Sequence, residues 1–341
     1  MAKNEKIVLG CDIGYGFCKC AYVENGRLKL DKYVSAVCKL NEKPLEMSDQ
    51  IFQLGADYFA LDTAATKLPR SLLLPLETFE DMMNVYPVWV SYLVSKYGGW
   101  DNIEVLVIGL SLQWSNRADE LLNHVYTSLN IDRETHPILI LSQGAICSYL
   151  YRTTGLNPLE PTAKSQLKAK NYVICDIGTE TCDLALVVGG KSTNIKFGIA
   201  NTGVIRIAYD IIDYIYKTYG LQISVRDAQT LIDSDSTSLV RRGKQIILGD
   251  KIAEFEKKYI KNILELIENQ FAEAIDQAEM ILICGGGSYI FKKLINDPEI
   301  IKEVEKHFSL DFIQIPEAGE FYNAISYLRV AEKLLSEEKD D

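Results

Sequence analysis

An internal repeat constrains this chain more than any other feature of its sequence. Residues 11–26, CDIGYGFCKCAYVENG, return 164 positions later as residues 175–190, CDIGTETCDLALVVGG, with roughly half of the sixteen positions identical. Self-similarity of this kind indicates that one structural unit is written twice. The chain has 341 residues, so each copy opens a half that is long enough to form a domain.

Both copies have the pattern of a three-stranded meander. An apolar run leads into a turn rich in small residues, a second apolar run follows, and Asn25-Gly26 or Gly189-Gly190 marks a hairpin. The predicted strands are 6–11, 17–23 and 28–37 in the first half, and 172–175, 182–188 and 192–199 in the second.

The remaining segments alternate between helical and strand patterns, which favours an α/β sheet. The predicted helices are 79–97, 117–129, 205–219, 252–278 and 319–335, and the further predicted strands are 104–108, 138–141 and 280–284. Residues 155–170 carry two prolines and a polar run, and we interpret this segment as the connection between the halves.

Composition narrows the class of protein. The chain is 48% hydrophobic and 24% charged, which is typical of a soluble globular protein. Its net charge of −11 is spread along the chain and disfavours direct binding to nucleic acid or to a membrane. The eight cysteines lie mostly in apolar runs without a CxxC pair, as expected of buried side chains in a reducing cytoplasm. No apolar run approaches the roughly eighteen residues of a membrane span, so we expect a cytoplasmic protein.

The first turn of the repeat has the residues of an anion site. Asp12 ends an apolar strand, and Gly14 and Gly16 permit a backbone with positive φ. Such a turn can direct successive N–H groups at an anion, and Lys19 adds a positive charge for phosphate oxygens. The alternative is an ordinary hairpin in which the aspartate satisfies only the amides of its own turn.

The second turn keeps the acid and changes its surroundings. Asp176 is retained, the hydroxyls of Thr179 and Thr181 flank the turn, and Asp183 takes the place of Lys19. Two acids that face one phosphate chain require a cation, so Asp12 and Asp176 together indicate Mg²⁺. Because Mg²⁺ dehydrates reluctantly, we expect both carboxylates to hold it through its waters.

Two further segments follow apolar strands. Residues 285–288, Gly-Gly-Gly-Ser, come after a fully apolar strand, where glycines allow a flat or charged ligand to approach the backbone. Gln143 follows the strand 138–141 and is of the residue type that orients water for attack on a terminal phosphate. A flexible turn and a polar helix start are the respective alternatives.

Taken in order, these elements resemble the signature of the actin, sugar kinase and DnaK-type chaperone superfamily. Residues 12–19 and 176–183 resemble its two phosphate loops, 141–148 and 319–325 its connecting segments, and 281–288 its adenosine loop. Within that superfamily, the opening Asp-Ile-Gly-Tyr-Gly-x-x-Lys, the short chain and residues 198–204 are similar to the bacterial and archaeal actin-like proteins of the ParM type.

The resemblance implies a fold and a way of working. The fold is α/β, with duplicated actin-like, ribonuclease H-like domains around a nucleotide cleft, each with a smaller subdomain. The expected domains are 1–160, with an inserted subdomain at about 38–100, and 161–341, with one at about 205–275. The resemblance also implies filament assembly on binding ATP or GTP, and disassembly after hydrolysis.

The resemblance further implies roles for individual residues. Asp12 and Asp176 would hold the waters of Mg²⁺, and Gln143 and Asp176 would position the attacking water. The phosphates would be bound by Gly14, Tyr15, Gly16, Lys19, Gly178, Thr179, Glu180 and Thr181. The base and ribose would contact Gly285, Gly286, Gly287 and Ser288, with Arg226 and Gln229 reaching the nucleoside from a helix.

Three functions remain open on these grounds. The first is a nucleotide-hydrolysing filament protein for plasmid segregation or a prokaryotic cytoskeleton, whose partners are copies of itself and a DNA-binding adaptor. The second is a small-molecule kinase, which needs a further acid as base for the acceptor hydroxyl, with Asp62 and Asp101 as candidates. The third is a regulatory ATPase that does not polymerise.

Overall fold

The computed structural model describes residues 6–44, 48–76, 78–160, 169–234, 236–241 and 243–340. Residues 161–168 of the predicted connection lie outside this part of the chain. Two compact units are present. One comprises Met1–Lys164 together with Phe321–Asp341, and the other comprises Ser165–Glu320.

The first unit is built on a mixed sheet. Its elements in chain order are β1 (Ile7–Ile13), β2 (Phe17–Glu24), β3 (Arg27–Val34), β4 (Val37–Leu40), β5 (Ile51–Leu54), β6 (Asp57–Leu61), α1 (Asp62–Thr66), α2 (Phe79–Lys96), β7 (Ile103–Leu110), α3 (Ala118–Leu129), β8 (Ile138–Ser142) and α4 (Cys147–Thr154). Within the described residues, the main sheet has the order β3-β2-β1-β7-β8. β1, β7 and β8 run parallel, which explains why β1 and β7 are almost continuously apolar.

Helix α2 supplies much of the core of this unit. It begins at a capping box, in which the Thr78 hydroxyl accepts from the Asp81 amide and the Asp81 carboxylate accepts from the Thr78 amide. Its buried face includes Phe79, Tyr86 and Trp89, and two glycines with positive φ follow its end. The helix predicted at 79–97 is therefore confirmed to within one residue.

A small separate sheet was not predicted. β4, β6 and β5 form a three-stranded antiparallel sheet in the described residues, where the sequence suggested one long strand at 28–37 and nothing regular before residue 79. The polypeptide leaves the main sheet after Val34, so the long strand is broken into β3 and β4. Short strands of mixed polarity give a weak periodic signal, which is why the sequence did not predict β4, β5 and β6.

The second unit repeats the plan of the first. Its elements are β9 (Tyr172–Ile177), β10 (Thr181–Val188), β11 (Lys191–Ala200), α5 (Ile205–Tyr219), α6 (Val225–Asp233), β12 (Ser238–Arg241), β13 (Lys244–Ile247), α7 (Lys251–Ile275), β14 (Met280–Cys284), α8 (Ser288–Leu294), α9 (Pro298–His307) and β15 (Ile313–Gln314). Its main sheet has the order β11-β10-β9-β14-β15 among the described residues, and β12 and β13 form a separate hairpin.

The two main sheets share one topology. In each, an antiparallel meander leads to a central strand, and two parallel strands continue the sheet on the other side. The duplication predicted from the repeat is thus confirmed in the strand order. α5 and β14 have the limits predicted from the sequence.

The last helix, α10 (Tyr322–Asp340), belongs to the first unit, although we expected it in a domain 161–341. It packs on β1 where Gly10 has no side chain. A Cβ at Gly10 would collide with the Ala324 carbonyl and lie 2.7 Å from the Leu328 amide nitrogen. The chain therefore returns to its first unit after β15, a feature that linear order does not reveal.

All eight cysteines are buried with free thiols, as predicted. Burial raises the pKa of the Cys18 thiol well above its usual value, so this thiol stays protonated at neutral pH. Among the described residues, no helix combines the length and the apolar character that crossing a bilayer requires.

Candidate functional site

The first turn of the repeat contains a buried ion pair. Asp12 near the end of β1 lies directly opposite Lys19 on β2, and both side chains are buried. Lys19 Nζ is 3.5 Å from Asp12 Oδ2. Because buried charges are tolerated when they are paired, each residue accounts for the burial of the other.

Gln143 binds the other oxygen of the same carboxylate. Its Nε2 donates to Asp12 Oδ1 at 2.6 Å, while its backbone N–H donates to the Leu110 carbonyl at 2.8 Å. β8 runs parallel to β7 and β7 to β1, so the residues after their carboxyl ends meet at one edge of the sheet. The structure therefore joins Gln143 to Asp12 and Lys19, which were predicted apart from it as members of the first turn.

Asn323 is a member of this cluster that sequence reasoning missed. It is buried in the first turn of α10, and its Oδ1 accepts from the Gly144 amide at 3.1 Å and from Cys147 Sγ at 3.2 Å. Gly144 has a φ of +65°, which turns the chain between Gln143 and α4. Asn323 thus fixes the segment that carries Gln143. A polar residue beside the apolar Ala324 and Ile325 at the start of the helix was the available signal.

The second turn places two acids where the first has an acid and a lysine. Asp183 on β10 lies directly opposite Asp176 on β9, so both side chains project from the same face of the sheet, and both are buried. Like charges in such a position repel one another, and a bound cation would stabilise them. Within the described residues, no group of three or more Asp, Glu, His or Cys could ligate a metal directly. The two carboxylates are oxygen donors, the kind that a divalent cation and its waters would fit.

In each of the two turns, a glycine allows the backbone on the two sides of the turn to come close together. The Gly14 amide donates to the Phe17 carbonyl at 3.2 Å, and the Gly178 amide donates to the Thr181 carbonyl at 2.9 Å. We predicted a positive φ at Gly14 and Gly16. This prediction is wrong, since neither residue has one. Instead, a Cβ at Gly14 or Gly178 would lie 3.2 Å from the carbonyl that the turn must reach.

The second turn is oriented by the start of α5. The carbonyls of Gly178 and Thr179 accept from the amides of Val204 and Ile205 at 3.1 and 2.8 Å. In a trans peptide the C=O and the following N–H point in opposite directions. The N–H groups of Thr179 and Glu180 are therefore directed away from α5.

The glycine loop lies against the second acid. Gly285 has a φ of +82°, and a Cβ there would collide with Asp176 Oδ1. The Gly287 amide donates to the Ile177 carbonyl at 2.7 Å, and Ser288 is buried at the start of α8. Gly285 and Gly287 are thus required by the packing of the protein itself. This packing holds the loop directly beside Asp176.

Helix α7 supports both the turn and the loop. Tyr259 donates its hydroxyl to the Thr202 carbonyl at 2.9 Å, beside the residues that orient the second turn. One turn earlier, the fully buried Glu256 pairs with Lys293 of α8 at 3.0 Å. The sequence indicated α7 only as a packed helix, and these two polar residues within its apolar stripe were the signal that was missed.

The remaining predicted residues lie at the edges of these groups. Tyr15 and Glu180 are half-buried within the first and second turns. Arg226 and Gln229 are half-buried on α6, which begins at a Ser224–Asp227 capping box and packs against α5. Contact of Arg226 and Gln229 with a nucleoside stays a prediction.

Comparison with known proteins identifies the fold. Residues 174–297 match the family model of the archaeal actin homologue MreB-like C-terminal domain. The archaeal actin homologue Ta0583 superposes with a TM-score of 0.68 at 18% identity, over 96% of this chain and 99% of that chain. A search of curated protein sequences gives no significant match.

Two solved ParM structures are also similar. The subunit of a 15-stranded ParM filament from Clostridium botulinum has a TM-score of 0.69 at 15% identity, over 96% of this chain and 99% of that one. ParM from Bacillus thuringiensis with ATP has a TM-score of 0.62 at 13% identity, over 97% and 100%. The chain therefore has the actin-like fold, and the expected α/β architecture is confirmed.

Proposed function

We propose that this protein is an actin-like nucleotidase that binds and hydrolyses ATP or GTP with Mg²⁺ and assembles into filaments. One observation carries the proposal. Each unit buries an acid near the end of its central strand beside a tight glycine turn, Asp12 in the first and Asp176 in the second. An acid beside a glycine turn in both units is a set of donors that a hydrated cation and a phosphate would use.

The residues divide the chemistry as follows. Asp12 and Asp176 hold the waters of Mg²⁺, which when bound neutralises phosphate charge. Lys19 and the two turns contact the phosphates, including Tyr15, Gly16, Thr179, Glu180 and Thr181. Gln143 and Asp176 orient the attacking water, and the short contact of Gln143 with Asp12 supports its place in the site. Gly285 to Ser288 contact the nucleoside, joined by Arg226 and Gln229.

The proposed partners follow from the fold. A similar fold forms the 15-stranded ParM filament, which supports assembly with copies of this chain. We propose a role in plasmid segregation or a prokaryotic cytoskeleton in the cytoplasm. A separate DNA-binding adaptor would contact DNA, since the net charge of −11 disfavours direct contact. We propose no membrane partner.

The kinase alternative has no supporting observation. Asp62, one candidate base, accepts from the Val34 amide through Oδ1 at 2.8 Å and from Gln50 Nε2 through Oδ2 at 2.9 Å. Both of its oxygens thus serve the structure between β3 and α1. Asp101, the other candidate, is exposed in the short turn before β7.

Pelleting and light scattering of the purified protein test the proposal. With Mg²⁺ and ATP, GTP or a slowly hydrolysed analogue, we expect nucleotide-dependent assembly. No increase over a wide range of protein concentration would contradict the filament and favour a kinase or a regulatory ATPase. In Asp176→Ala, phosphate release should be lost while nucleotide binding survives, and hydrolysis at the unmutated rate would show that Asp176 is not the acid involved.

A further inference from the structure

Two cysteines lie directly opposite each other beside the first turn. Cys11 on β1 pairs with Cys20 on β2 in the register of the sheet, and their sulfurs are 3.1 Å apart. The Gly14 amide donates to the Phe17 carbonyl, so those two residues form a hydrogen-bonded pair. Bonded and non-bonded pairs alternate along an antiparallel ladder, and the two cysteines lie three steps further along it. They are therefore a non-hydrogen-bonded pair, with Cα atoms about 4.5 Å apart, a separation that a disulfide can span.

The register separates this pair from the other cysteines near the two turns. Cys18 is a diagonal neighbour of Cys11. Cys175 and Cys182 are also diagonal neighbours, although their sulfurs are 3.4 Å apart. Diagonal neighbours have Cα atoms about 7–8 Å apart, which a disulfide cannot span unless the backbone moves. Among these thiols, Cys11 and Cys20 therefore have the geometry that a disulfide needs.

The internal repeat shows that the fold does not need a thiol at the position of Cys20. The second copy has Leu184 there, and Leu184 lies opposite Cys175 as Cys20 lies opposite Cys11. Both Cys20 and Leu184 are completely buried. Because an apolar side chain fills the equivalent place in the second unit, packing alone does not explain the Cys20 thiol.

The neighbours of Cys20 favour its thiolate. Burial by itself would raise the pKa of Cys20, but hydrogen bonds from the thiols of Cys11 and Cys18 lower this pKa to about 6. Burial raises the pKa of Cys11, so Cys11 keeps its proton at neutral pH. The thiolate is the form of cysteine that reacts with oxidants. The pair thus combines one reactive sulfur with one protonated sulfur.

The polar edge of the core beside Cys20 lies at the end of α2. Tyr97, the residue that follows α2, contacts Cys20 and donates its hydroxyl to the half-buried Asp31 at 2.7 Å. Gly98 and Gly99 come next, both with positive φ. A local opening at this helix end would admit a small oxidant to the buried thiols.

We propose that Cys11 and Cys20 are a redox modification site, which a peroxide converts to a disulfide and a low-molecular-weight thiol restores. The Cys20 thiolate attacks hydrogen peroxide, becomes a sulfenic acid and releases hydroxide, which takes up the proton that Cys20 had lost. The Cys11 thiol then forms the S–S bond and releases water. In sum, two thiols and one hydrogen peroxide give one disulfide and two waters. Disulfides in a reducing compartment are typically transient and redox-sensing.

The disulfide would act on the first turn. Cys11 directly precedes Asp12 in the chain, and Cys20 directly follows Lys19. The two sulfurs must approach from 3.1 Å to about 2.05 Å, so the strands shift and carry Asp12 and Lys19 with them. We therefore expect the disulfide to weaken nucleotide binding. This consequence rests on the proposed function, whereas formation of the disulfide does not.

Mass spectrometry of the folded, peroxide-treated protein tests for the disulfide. Trypsin cleaves after Lys19, so a bond between Cys11 and Cys20 joins the peptide that ends at Lys19 to the peptide that begins at Cys20. We expect these linked peptides after peroxide and separate peptides after dithiothreitol. Cys18→Ala keeps both members of the pair and should give the same linked peptides.

Nucleotide affinity, measured with a fluorescent nucleotide, tests the consequence for the first turn. Peroxide should weaken binding to the unmutated protein by at least about threefold, and dithiothreitol should restore it. Cys20→Leu introduces the residue of the second copy, and Cys20→Ala is a smaller alternative. Both variants should bind equally with and without peroxide. Cys38→Ala removes a buried thiol elsewhere in the first unit and should respond as the unmutated protein does.

The possible outcomes are distinct. Peptides that stay separate after peroxide would overturn the proposal, and loss of the link in Cys18→Ala would assign the bond to Cys18 instead. A disulfide that leaves nucleotide affinity unchanged would overturn its effect on the first turn. If the reduced, unmutated protein binds no nucleotide, the proposed function is wrong, and the linked peptides still decide whether the disulfide forms.

Discussion

Asp183 lies directly opposite Asp176, in the position that Lys19 occupies opposite Asp12. The two turns therefore share one backbone plan but differ in charge, since the first pairs an acid with a base and the second pairs two acids. In the first unit a lysine neutralises the buried acid within 3.5 Å. In the second unit two buried carboxylates share one face of the sheet, a position in which like charges repel one another and a bound cation would stabilise them.

Asp183→Asn removes one of these like charges. We expect the melting temperature of the metal-free protein to rise, because repulsion with Asp176 is relieved, and the stabilisation on adding Mg²⁺ to shrink. Thermal unfolding in chelator and in Mg²⁺ measures both. Asp276→Asn, at the exposed end of α7, is the control and should leave the Mg²⁺ effect intact. If Mg²⁺ stabilises Asp183→Asn as much as the unmutated protein, no cation binds near Asp176 and Asp183.

Gln143→Ala removes the amide that donates to Asp12 Oδ1. We expect nucleotide hydrolysis to fall by about 100-fold, because the attacking water loses its orientation, while affinity changes less than about threefold. Single-turnover phosphate release and fluorescent-nucleotide binding separate the two quantities. Gln53→Ala, at the exposed residue of β5, serves as the control. Equal losses of affinity and rate in Gln143→Ala would assign Gln143 to binding.

Gly285→Ala adds a Cβ that collides with Asp176 in a backbone of positive φ. We expect a destabilisation of more than about 1 kcal/mol and at least tenfold weaker nucleotide binding, because both the loop and the acid must shift. Gly249→Ala is the matched control. Its φ is +55° and its Cβ would meet nothing within 4 Å, so it should lose stability and retain binding. Equal affinities in the two variants would refute the role of the loop.

Tyr259→Phe deletes the hydrogen bond to the Thr202 carbonyl. We expect a loss of about 1 kcal/mol in stability and several-fold weaker nucleotide binding, because the segment that orients the second turn loosens. Tyr126→Phe removes a hydroxyl of the first unit that donates to the His136 carbonyl at 2.9 Å and accepts from the Ile138 amide at 2.9 Å, so it should cost at least as much stability. If this control weakens nucleotide binding as much, the effect is general destabilisation and α7 has no special role.

Glu279 provides a test of pH dependence. Its carboxylate accepts from the amides of Asn171 at 2.9 Å and Lys170 at 2.7 Å, and these bonds lower its pKa. Because the folded pKa is below the unfolded one, the carboxylate stabilises the fold above about pH 4.3, and this stabilisation is lost as pH falls through the folded pKa. Glu279→Gln should therefore be less stable at neutral pH and equal to the unmutated protein at strongly acidic pH. Urea unfolding at several pH values measures the difference in free energy of unfolding between the two proteins. If this difference does not narrow as the pH falls, the Glu279 carboxylate does not contribute to the pH dependence of stability.

The equivalence of the two turns was readable from the sequence. Lys19 follows Asp12 by seven positions, and Asp183 follows Asp176 by the same number. An antiparallel pair of strands joined by a tight turn therefore brings the equivalent two positions together in each copy. Apolar strands, hairpin signals and the burial of the cysteines are likewise set by residues close in the chain. Such local patterns predict elements well because strand and helix periodicities depend on neighbouring residues.

The meeting of distant segments was decided by tertiary structure. Gln143 contacts Asp12 across 131 positions, Gly285 lies against Asp176, and α10 returns to the first unit through Gly10. None of these contacts has a local signal, because each depends on how separate elements pack. The sequence by itself therefore determined which turns are repeated and which charges they carry. Only packing decided which partner each buried acid and each glycine would have.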